Sequence, residues 1–203
     1  MKIVIVDYGM GNIRSIVSTL NYLNVHDIMV SDSLFDFKSA DRIILPGVGN
    51  FGKAINQIAS KKIDNFLSKV ILEEKKPILG ICLGMQLLGL SSSENGNNKG
   101  LSFVNGVVTK FDNSLVKVPH VGFNQVSINL NSKLFEGIKD KADFYFTHSY
   151  RMHSDDNINQ SICNYQGDFI AGFEVENICG VQFHPELSQN NGLRLLKNFI
   201  DNF

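Results

Sequence analysis

Residues 77–84 read Pro-Ile-Leu-Gly-Ile-Cys-Leu-Gly, and an apolar helical pattern follows from Met85 to Leu90. The short apolar run that ends at Ile81 predicts a buried strand, and the pattern after it predicts a helix. Glycines on both sides of Cys82 predict a sharp turn, because glycine tolerates backbone conformations that other residues avoid. The stretch is typical of a nucleophile elbow, in which a turn between strand and helix lifts one reactive side chain out of a sheet.

Two other segments in the first half of the chain repeat this order of apolar strand and glycine-containing turn. The predicted elements are a strand at Lys2–Asp7, a turn at Gly9–Asn12, a helix at Ile13–Leu23, a strand at Arg42–Leu45, a turn at Pro46–Gly49 and a helix at Ile63–Glu73. Three strand-turn units in succession predict a parallel, doubly wound sheet with flanking helices.

The second half has a different pattern. A polar loop is predicted over Ser91–Gly100, and the chain closes with a helical pattern over Gly192–Phe203. Between them, short alternating segments predict strands at Val107–Phe111, Val116–Ile128, Asp143–Phe146, Ile162–Tyr165, Phe169–Glu174 and Ile178–Phe183. The predicted fold is therefore α/β, a doubly wound, mostly parallel sheet with flanking helices and a more antiparallel C-terminal half, in one domain over residues 1–203.

Composition excludes several classes of protein. The chain has 203 residues, 43% of them apolar, and its 19 Lys and Arg nearly balance its 20 Asp and Glu. A domain of this size needs no disulfide or metal to fold, and the charge balance gives no basis for binding nucleic acid or an anionic membrane. No apolar run is long enough for a signal peptide or a membrane span. Three cysteines, an odd number without metal-ligand spacing, favour reduced thiols in a cytoplasmic protein.

Cys82 is the candidate nucleophile. The predicted turn places it at the start of a helix, where unpaired backbone N–H groups favour the reactive thiolate. A buried cysteine in a glycine-rich turn, without any reaction, is the alternative interpretation of this motif taken alone.

A second motif, Gly-Val-Gln-Phe-His-Pro-Glu at residues 180–186, follows an apolar strand. Residues two apart in an extended segment face the same side, so His184 and Glu186 are expected to lie together with Pro185 fixing the backbone between them. A histidine oriented by a carboxylate is a general base, although a lone His-x-Glu is more often a surface pair. Together with the cysteine elbow, the motif favours nucleophilic catalysis.

The two motifs, residues 80–88 and 180–186, resemble those of class I glutamine amidotransferases. Four further segments are similar to the glutaminase subunits of imidazole glycerol phosphate synthase within that family. They are Asp7–Asn12, Pro46–Phe51, Val118–Asn124 and Phe144–Tyr150. The resemblance covers essentially the whole chain.

The resemblance implies that Cys82 attacks the glutamine carboxamide, that His184 transfers protons, and that Glu186 orients His184. It places the oxyanion hole at the backbone N–H groups of Leu83 and Val48. Glutamine would be bound by Gly49, Gln86, Glu94, Ser149 and Tyr150. No cofactor and no metal are implied.

The resemblance also implies a heterodimer with a (β/α)8-barrel cyclase subunit, which receives ammonia through a channel and forms imidazole glycerol phosphate and AICAR in histidine biosynthesis. The residues expected to face this partner are Asn12, Pro119, His120 and Phe123. Two positions depart from the family pattern, because Phe123 stands where tryptophan is usual and Leu187 where a basic residue is common.

Three alternatives remain open at the level of sequence. In the first, the same chemistry supplies ammonia to a barrel partner for amidination of a surface-polysaccharide sugar. The departures at Phe123 and Leu187 leave the identity of the ammonia acceptor open. A free-standing cysteine hydrolase would use the same triad. A catalytically silent regulatory module is the third, although a silent relative is expected to lose its nucleophile or base, and Cys82, His184 and Glu186 are all present.

Overall fold

The structure, a computed structural model, describes residues 1–165 and 167–203 and is built on a nine-stranded sheet. The strands, four of which form a second and smaller sheet, are β1 (Lys2–Val6), β2 (Asp27–Ser31), β3 (Arg42–Leu45), β4 (Ile78–Ile81), β5 (Ser91–Ser92), β6 (Asn98–Lys99), β7 (Val107–Lys110), β8 (His120–Ser127), β9 (Ala142–His148), β10 (Tyr150–His153), β11 (Ser161–Asn164), β12 (Asp168–Val175) and β13 (Ile178–Val181). Its helices are α1 (Ile13–Tyr22), α2 (Leu34–Ser39), α3 (Phe51–Ser60), α4 (Ile63–Leu67), α5 (Leu83–Leu87) and α6 (Gln189–Asn202), with a π-helical segment at Ser68–Glu73 and 3-10 turns at Lys133–Phe135 and Pro185–Leu187.

The main sheet has the order β2-β1-β3-β4-β13-β12-β11-β8-β9. The strands from β2 to β13 in this order pair in parallel, and every pair from β13 to β9 is antiparallel. The predicted α/β fold with a parallel N-terminal half and a more antiparallel C-terminal half is confirmed.

Both faces of this sheet are covered, as the uninterrupted apolar runs of its central strands require. Along β1, Ile3 and Ile5 pack into one core cluster, and Val4 and Val6 into a second one. The alternation follows from the two-residue period of a strand. Because helices and loops cover both faces, the functional side chains lie at the carboxyl ends of the parallel strands.

A smaller sheet, with the order β10-β7-β5-β6, was not expected from the sequence. Its short strands β5 and β6 lie within Ser91–Gly100, so the prediction of a loop without regular structure is wrong there. Ser91 and Ser92 pair with Val107 and Val108. Their partners are distant in sequence, and two-residue strands carry no periodicity that could have predicted them.

Several predicted boundaries shift. The helix expected at Met85–Leu90 instead spans Leu83–Leu87, since it begins directly after Cys82. The strand expected at Val116–Ile128 begins only at His120, after Pro119, which has no N–H to donate to a sheet. Strand β2 and helices α2 and α3 were missed. In the part of the chain that the structure describes, no helix has the length and apolar character needed to cross a membrane.

Candidate active site

The candidate site lies at the carboxyl ends of the parallel strands of the main sheet. Strands β1, β3, β4 and β13 are neighbours and run in the same direction, so the segments that follow their carboxyl ends come together. These segments contain Asn12, Pro46–Gly49, Cys82 and His184. The topology therefore assembles the site from four distant parts of the sequence.

Cys82 occupies the turn between β4 and α5 in a strained conformation, with φ of 54° and ψ of −111°. Such a conformation is rare for a residue with a side chain and is found mainly at functional sites. The sequence predicted that the flanking glycines would supply the unusual dihedrals, but the strain lies on Cys82 itself. Glycine is needed at position 84 for space, because a Cβ there would lie 1.9 Å from the carbonyl oxygen of Leu45.

His184 and Glu186 form a buried ion pair, with Nδ1 of His184 2.9 Å from Oε1 of Glu186. The two side chains lie together as predicted, but the segment that carries them is not extended. Strand β13 ends at Val181, and a 3-10 turn at Pro185–Leu187 folds Glu186 back onto His184. The side-chain amide of Asn12 donates to the same carboxylate oxygen at 3.2 Å.

The protonation of His184 depends on both of its neighbours. Burial lowers the pKa of His184, but the neighbouring Cys82 and the Glu186 carboxylate act in the opposite direction and raise it to about 10. Nδ1 of His184 faces Glu186, whereas the buried Nε2 has no hydrogen-bond partner among the described residues and is the ring nitrogen left for proton transfer at the cavity. The raised pKa favours the protonated form of His184, which can donate a proton during nucleophilic catalysis.

A cavity of about 330 Å³ opens beside Cys82 and His184. Its size is at the lower end of the range of small-molecule sites. The predicted residues that line it are Val48, Gly49, Cys82, Leu83, Gln86, Glu94, Pro119, Ser149, Tyr150 and His184. The structure thus brings together both predicted oxyanion-hole residues, all five predicted glutamine-binding residues, the nucleophile and the histidine.

Two of the polar lining residues are held by hydrogen bonds. The amide of Gln86 donates to the backbone carbonyl of Tyr150 at 3.0 Å. One carboxylate oxygen of Glu94 accepts from the backbone N–H of Phe51 at 2.7 Å, at the start of α3. Glu94 lies in the segment predicted to be a plain polar loop, and this contact together with the small sheet fixes its position.

Sequence reasoning missed Gln182. This residue is fully buried, its Oε1 atom accepts from the amide of Gln86 at 2.9 Å, and its Nε2 atom lies 3.7 Å from the sulfur of Cys82. The only local indication was its place two residues before His184. Contacts to residues nearly a hundred positions away become visible only in the fold.

The predicted partner-facing residues divide into three groups. Phe123 is 49% exposed on β8, as a residue that binds a partner must be. Asn12 is half-buried against Glu186, and Pro119 borders the cavity. The prediction for His120 is wrong, because its side chain is 3% exposed and hydrogen-bonds to His148 in the interior.

The other two cysteines, Cys163 and Cys179, are buried and do not line the cavity. Burial raises the pKa of the Cys163 thiol to about 12, with Asp168 adding to the effect. Burial also holds the pKa of Cys179 well above its usual value. Both thiols therefore stay protonated near neutral pH. Among the described residues, no cluster of His, Cys, Asp and Glu side chains could hold a metal ion.

Known proteins match this chain along its whole length. Residues 4–203 match the family model "Glutamine amidotransferase class-I". A protein of Vibrio vulnificus (strain YJ016) called imidazole glycerol phosphate synthase subunit HisH 2 is 41% identical over 202 residues, which are 99% of this chain and 94% of that protein. The HisH subunit of Aquifex aeolicus (strain VF5) is 39% identical over 98% of this chain and 96% of its own length.

Solved structures agree in fold. PurLQS from Thermotoga maritima superposes with a TM-score of 0.71 at 22% identity, covering 98% of this chain and 97% of that one. The glutaminase domain of CTPS from Trypanosoma brucei gives a TM-score of 0.68 at 16% identity, covering 100% and 95%. The family resemblance inferred from the motifs is confirmed. The chain belongs to the class I glutamine amidotransferase family and, within it, to the HisH subfamily.

Proposed function

We propose that this chain is the glutaminase subunit of imidazole glycerol phosphate synthase, which hydrolyses L-glutamine to glutamate and ammonia for histidine biosynthesis. The observation that carries the proposal is that Cys82 and His184, the latter paired with the buried Glu186, line the same cavity of small-molecule size. The HisH relatives bear the name of that synthase. We also propose that residues 1–203 form one amidotransferase domain, since strands from both halves of the chain share the main sheet.

In the first half-reaction, the thiolate of Cys82 attacks the carboxamide carbon of glutamine, and the carbonyl oxygen becomes an oxyanion. Backbone N–H groups of Leu83 and Val48, both at the cavity, stabilise that charge. His184 donates its Nε2 proton to the amide nitrogen, so the carbon–nitrogen bond breaks and ammonia leaves. A glutamyl thioester remains on Cys82, and His184 is neutral.

In the second half-reaction, water attacks the thioester carbon while His184 takes a proton from that water. The tetrahedral intermediate collapses, the carbon–sulfur bond breaks, and glutamate and the thiolate of Cys82 are released. His184 is again an imidazolium beside a thiolate, which is the state favoured by its pKa of about 10. Glu186 keeps the ring in one orientation throughout, because its carboxylate holds Nδ1.

Glutamine binding falls to the polar residues around the cavity. Glu94 supplies a carboxylate for the α-amino group of the substrate, and the segment Ser149–Tyr150 supplies backbone groups for its other end. Gln86 holds that segment in place through the Tyr150 carbonyl. Gly49, with φ of +105°, lies in the loop that carries Val48, and this backbone lets the loop turn a peptide plane at small steric cost.

The partner in this proposal is a cyclase subunit of (β/α)8-barrel type, which forms a heterodimer with this chain in the cytoplasm. Support comes from the exposed apolar side chains on the outer face of β8, Val121 and Phe123, and from Leu187 next to Glu186. Exposed apolar residues at one edge of a soluble domain are typical of a protein interface. Ammonia released at Cys82 would pass to the partner without reaching solvent.

The experiment is a reconstitution with the cyclase subunit encoded in the same genome. We expect slow glutamine hydrolysis by the chain alone, faster hydrolysis with the cyclase, and the fastest with cyclase and its acceptor. Imidazole glycerol phosphate should form with glutamine in place of ammonium salts. Stimulation only by a different barrel protein, with amidination of a sugar, would move the assignment to polysaccharide modification. Full activity of the isolated chain, unchanged by any partner, would indicate a free-standing hydrolase.

A further inference from the structure

A buried pair of histidines adjoins the cavity, of which His148 is a lining residue and His120 is not. His120 on β8 and His148 on β9 stand directly opposite each other in the antiparallel pair, and Nδ1 of His120 is 3.0 Å from Nε2 of His148. The second ring nitrogen of His120 is 3.3 Å from the side-chain amide of Asn124, and that of His148 is 2.8 Å from the backbone carbonyl of Tyr150. The two rings therefore join a surface strand to the cavity wall.

The direction of every hydrogen bond in this series is determined by its ends. The carbonyl of Tyr150 can only accept, so Nδ1 of His148 carries a proton and donates it. In neutral His148, Nε2 must then accept, and Nδ1 of His120 is its donor. Nε2 of His120 in turn accepts from the amide of Asn124. This order requires both rings to be neutral, and burial lowers their pKa values to about 4 for His120 and about 3 for His148.

The series continues from the Tyr150 carbonyl to the nucleophile. The same carbonyl accepts a second hydrogen bond from Nε2 of Gln86, which also donates to Oε1 of Gln182 at 2.9 Å. The amide nitrogen of Gln182 donates to the sulfur of Cys82 at 3.7 Å. One connected set of hydrogen bonds thus runs from Asn124 to Cys82 through side chains that are mostly buried.

We propose that this set of hydrogen bonds positions the glutaminase site, with His120 as a positioning residue that acts through His148 on the Tyr150 carbonyl and, through Gln86 and Gln182, on the Cys82 sulfur. The proposal rests on the proposed function. His120 does not line the cavity, so it acts on the site indirectly, through its hydrogen bond to His148. Asn124, at the other end, adjoins the exposed Phe123, so the set also joins the proposed partner face to the nucleophile.

Aromatic packing is the competing explanation for these histidines. The ring of His120 stacks between Phe146, at 4.9 Å, and Tyr165, at 4.0 Å between ring centroids. If packing alone mattered, any flat ring at this position would serve. The two explanations therefore differ in whether a hydrogen-bond donor or an aromatic ring is required at position 120.

Two substitutions separate these requirements. His120→Phe keeps an aromatic ring but removes the donor to His148, and His120→Asn keeps an amide donor near the position of Nδ1 but removes the ring. We expect His120→Phe to retain the higher melting temperature. Its kcat/KM for glutamine, measured in complex with the cyclase, should fall by about tenfold, the size of effect produced when a buried hydrogen-bond partner is left unpaired. His120→Asn should recover most of that loss despite its lower stability.

Phe111→Leu is the matched control, because the Phe111 ring packs against both histidines, with centroid distances of 6.4 and 5.3 Å, and against the Arg151 guanidinium, and the substitution removes no hydrogen bond. Its kcat/KM should stay within about twofold of wild type, a bound set by the absence of any lost hydrogen bond. If activity follows the melting temperature across all three variants, the positioning role is wrong and the histidines only pack.

A second readout does not depend on activity. In ¹⁵N-detected spectra of the wild-type chain, both His120 and His148 should carry their proton on Nδ1, and in His120→Phe the Nε2 signal of His148 should shift. A proton on Nε2 of His148 would overturn the series of bonds. A wild-type complex without glutaminase activity would instead refute the proposed function and leave this assignment of protons standing.

Discussion

The Nδ1 atom of His184 lies 2.9 Å from Oε1 of Glu186, and the Glu186 side chain is completely buried. A buried carboxylate is costly unless it is paired, so Glu186 and His184 depend on each other. The geometry comes from a 3-10 turn that a proline begins, and the same oxygen also accepts from Asn12. His184 is consequently fixed from the side opposite to Cys82.

The first prediction separates the two members of this pair. Glu186→Gln keeps a polar group beside Nδ1 but removes the charge that stabilises the imidazolium, so kcat should fall. His184→Ala removes the proton donor and should reduce kcat much further, by about 10³ or more, as for other triads. Steady-state glutaminase assays with the cyclase present measure both. Equal rates in wild type and His184→Ala would rule out His184 as the base.

The second prediction concerns the reactivity of the three thiols. Iodoacetamide at about neutral pH should label Cys82 first, because thiolates react and the raised pKa values keep Cys163 and Cys179 protonated. Peptide mass spectrometry gives the rate at each site. In His184→Ala the labelling of Cys82 should slow, since its imidazolium partner is lost. Faster labelling of Cys163 than of Cys82 in the folded chain would contradict the assignment.

The third prediction concerns acid stability. The unfolded chain binds a proton at each histidine near its usual pKa of about 6.5, whereas folded His120 and His148 resist protonation down to about 4 and 3. At these two histidines the unfolded state binds more protons in this range. Their combined effect outweighs the opposite effect of His184, whose pKa is raised, so the free energy of unfolding should decrease as the pH falls from about 7 to about 5. Urea titrations at both values measure the decrease. The decrease should be smaller in His120→Phe, which removes one of the two buried histidines whose pKa values are lowered.

The fourth prediction tests the proposed partner face. Phe123→Asp puts a charge on the exposed face of β8 and should weaken binding of the cyclase by at least about tenfold, as expected for an aromatic residue within an interface. Leu130→Asp is the control, because Leu130 is 84% exposed elsewhere on the chain. Isothermal titration calorimetry gives both dissociation constants. Equal weakening by the two substitutions would place the interface elsewhere.

The parallel half of the fold could be predicted because its central strands are continuous apolar runs, as in Lys2–Val6 and Ile78–Ile81. Strand β2 escaped prediction because it is the edge of the sheet, where only one neighbour pairs with it and Met29 and Val30 stay exposed. Its apolar run is only three residues long, Ile28–Val30, and Asp27 and Ser31 flank it. Strands β5 and β6 are two residues long, which is too short to show a periodic pattern in the sequence.

The chemical centre of the site was also predictable, because Cys82 and His184 lie in compact motifs whose spacing carries chemical meaning. The supporting contacts were not. Gln182 reaches Gln86 and Cys82 across nearly a hundred residues of sequence. The resemblance alone gave His120 as a partner-facing residue, and its burial and its hydrogen bond to His148 show that the ring faces inward.

The most direct test of the central claim measures glutamate release by wild type and by three single cysteine variants, each in complex with the cyclase and its acceptor, with circular dichroism to verify folding. Cys82→Ala should be folded and release glutamate at least about 10³-fold more slowly, because no other residue can form the thioester. Cys163→Ala and Cys179→Ala should retain most of the wild-type rate, since both thiols are buried away from the cavity. A folded Cys82→Ala that hydrolyses glutamine at the wild-type rate would contradict the account.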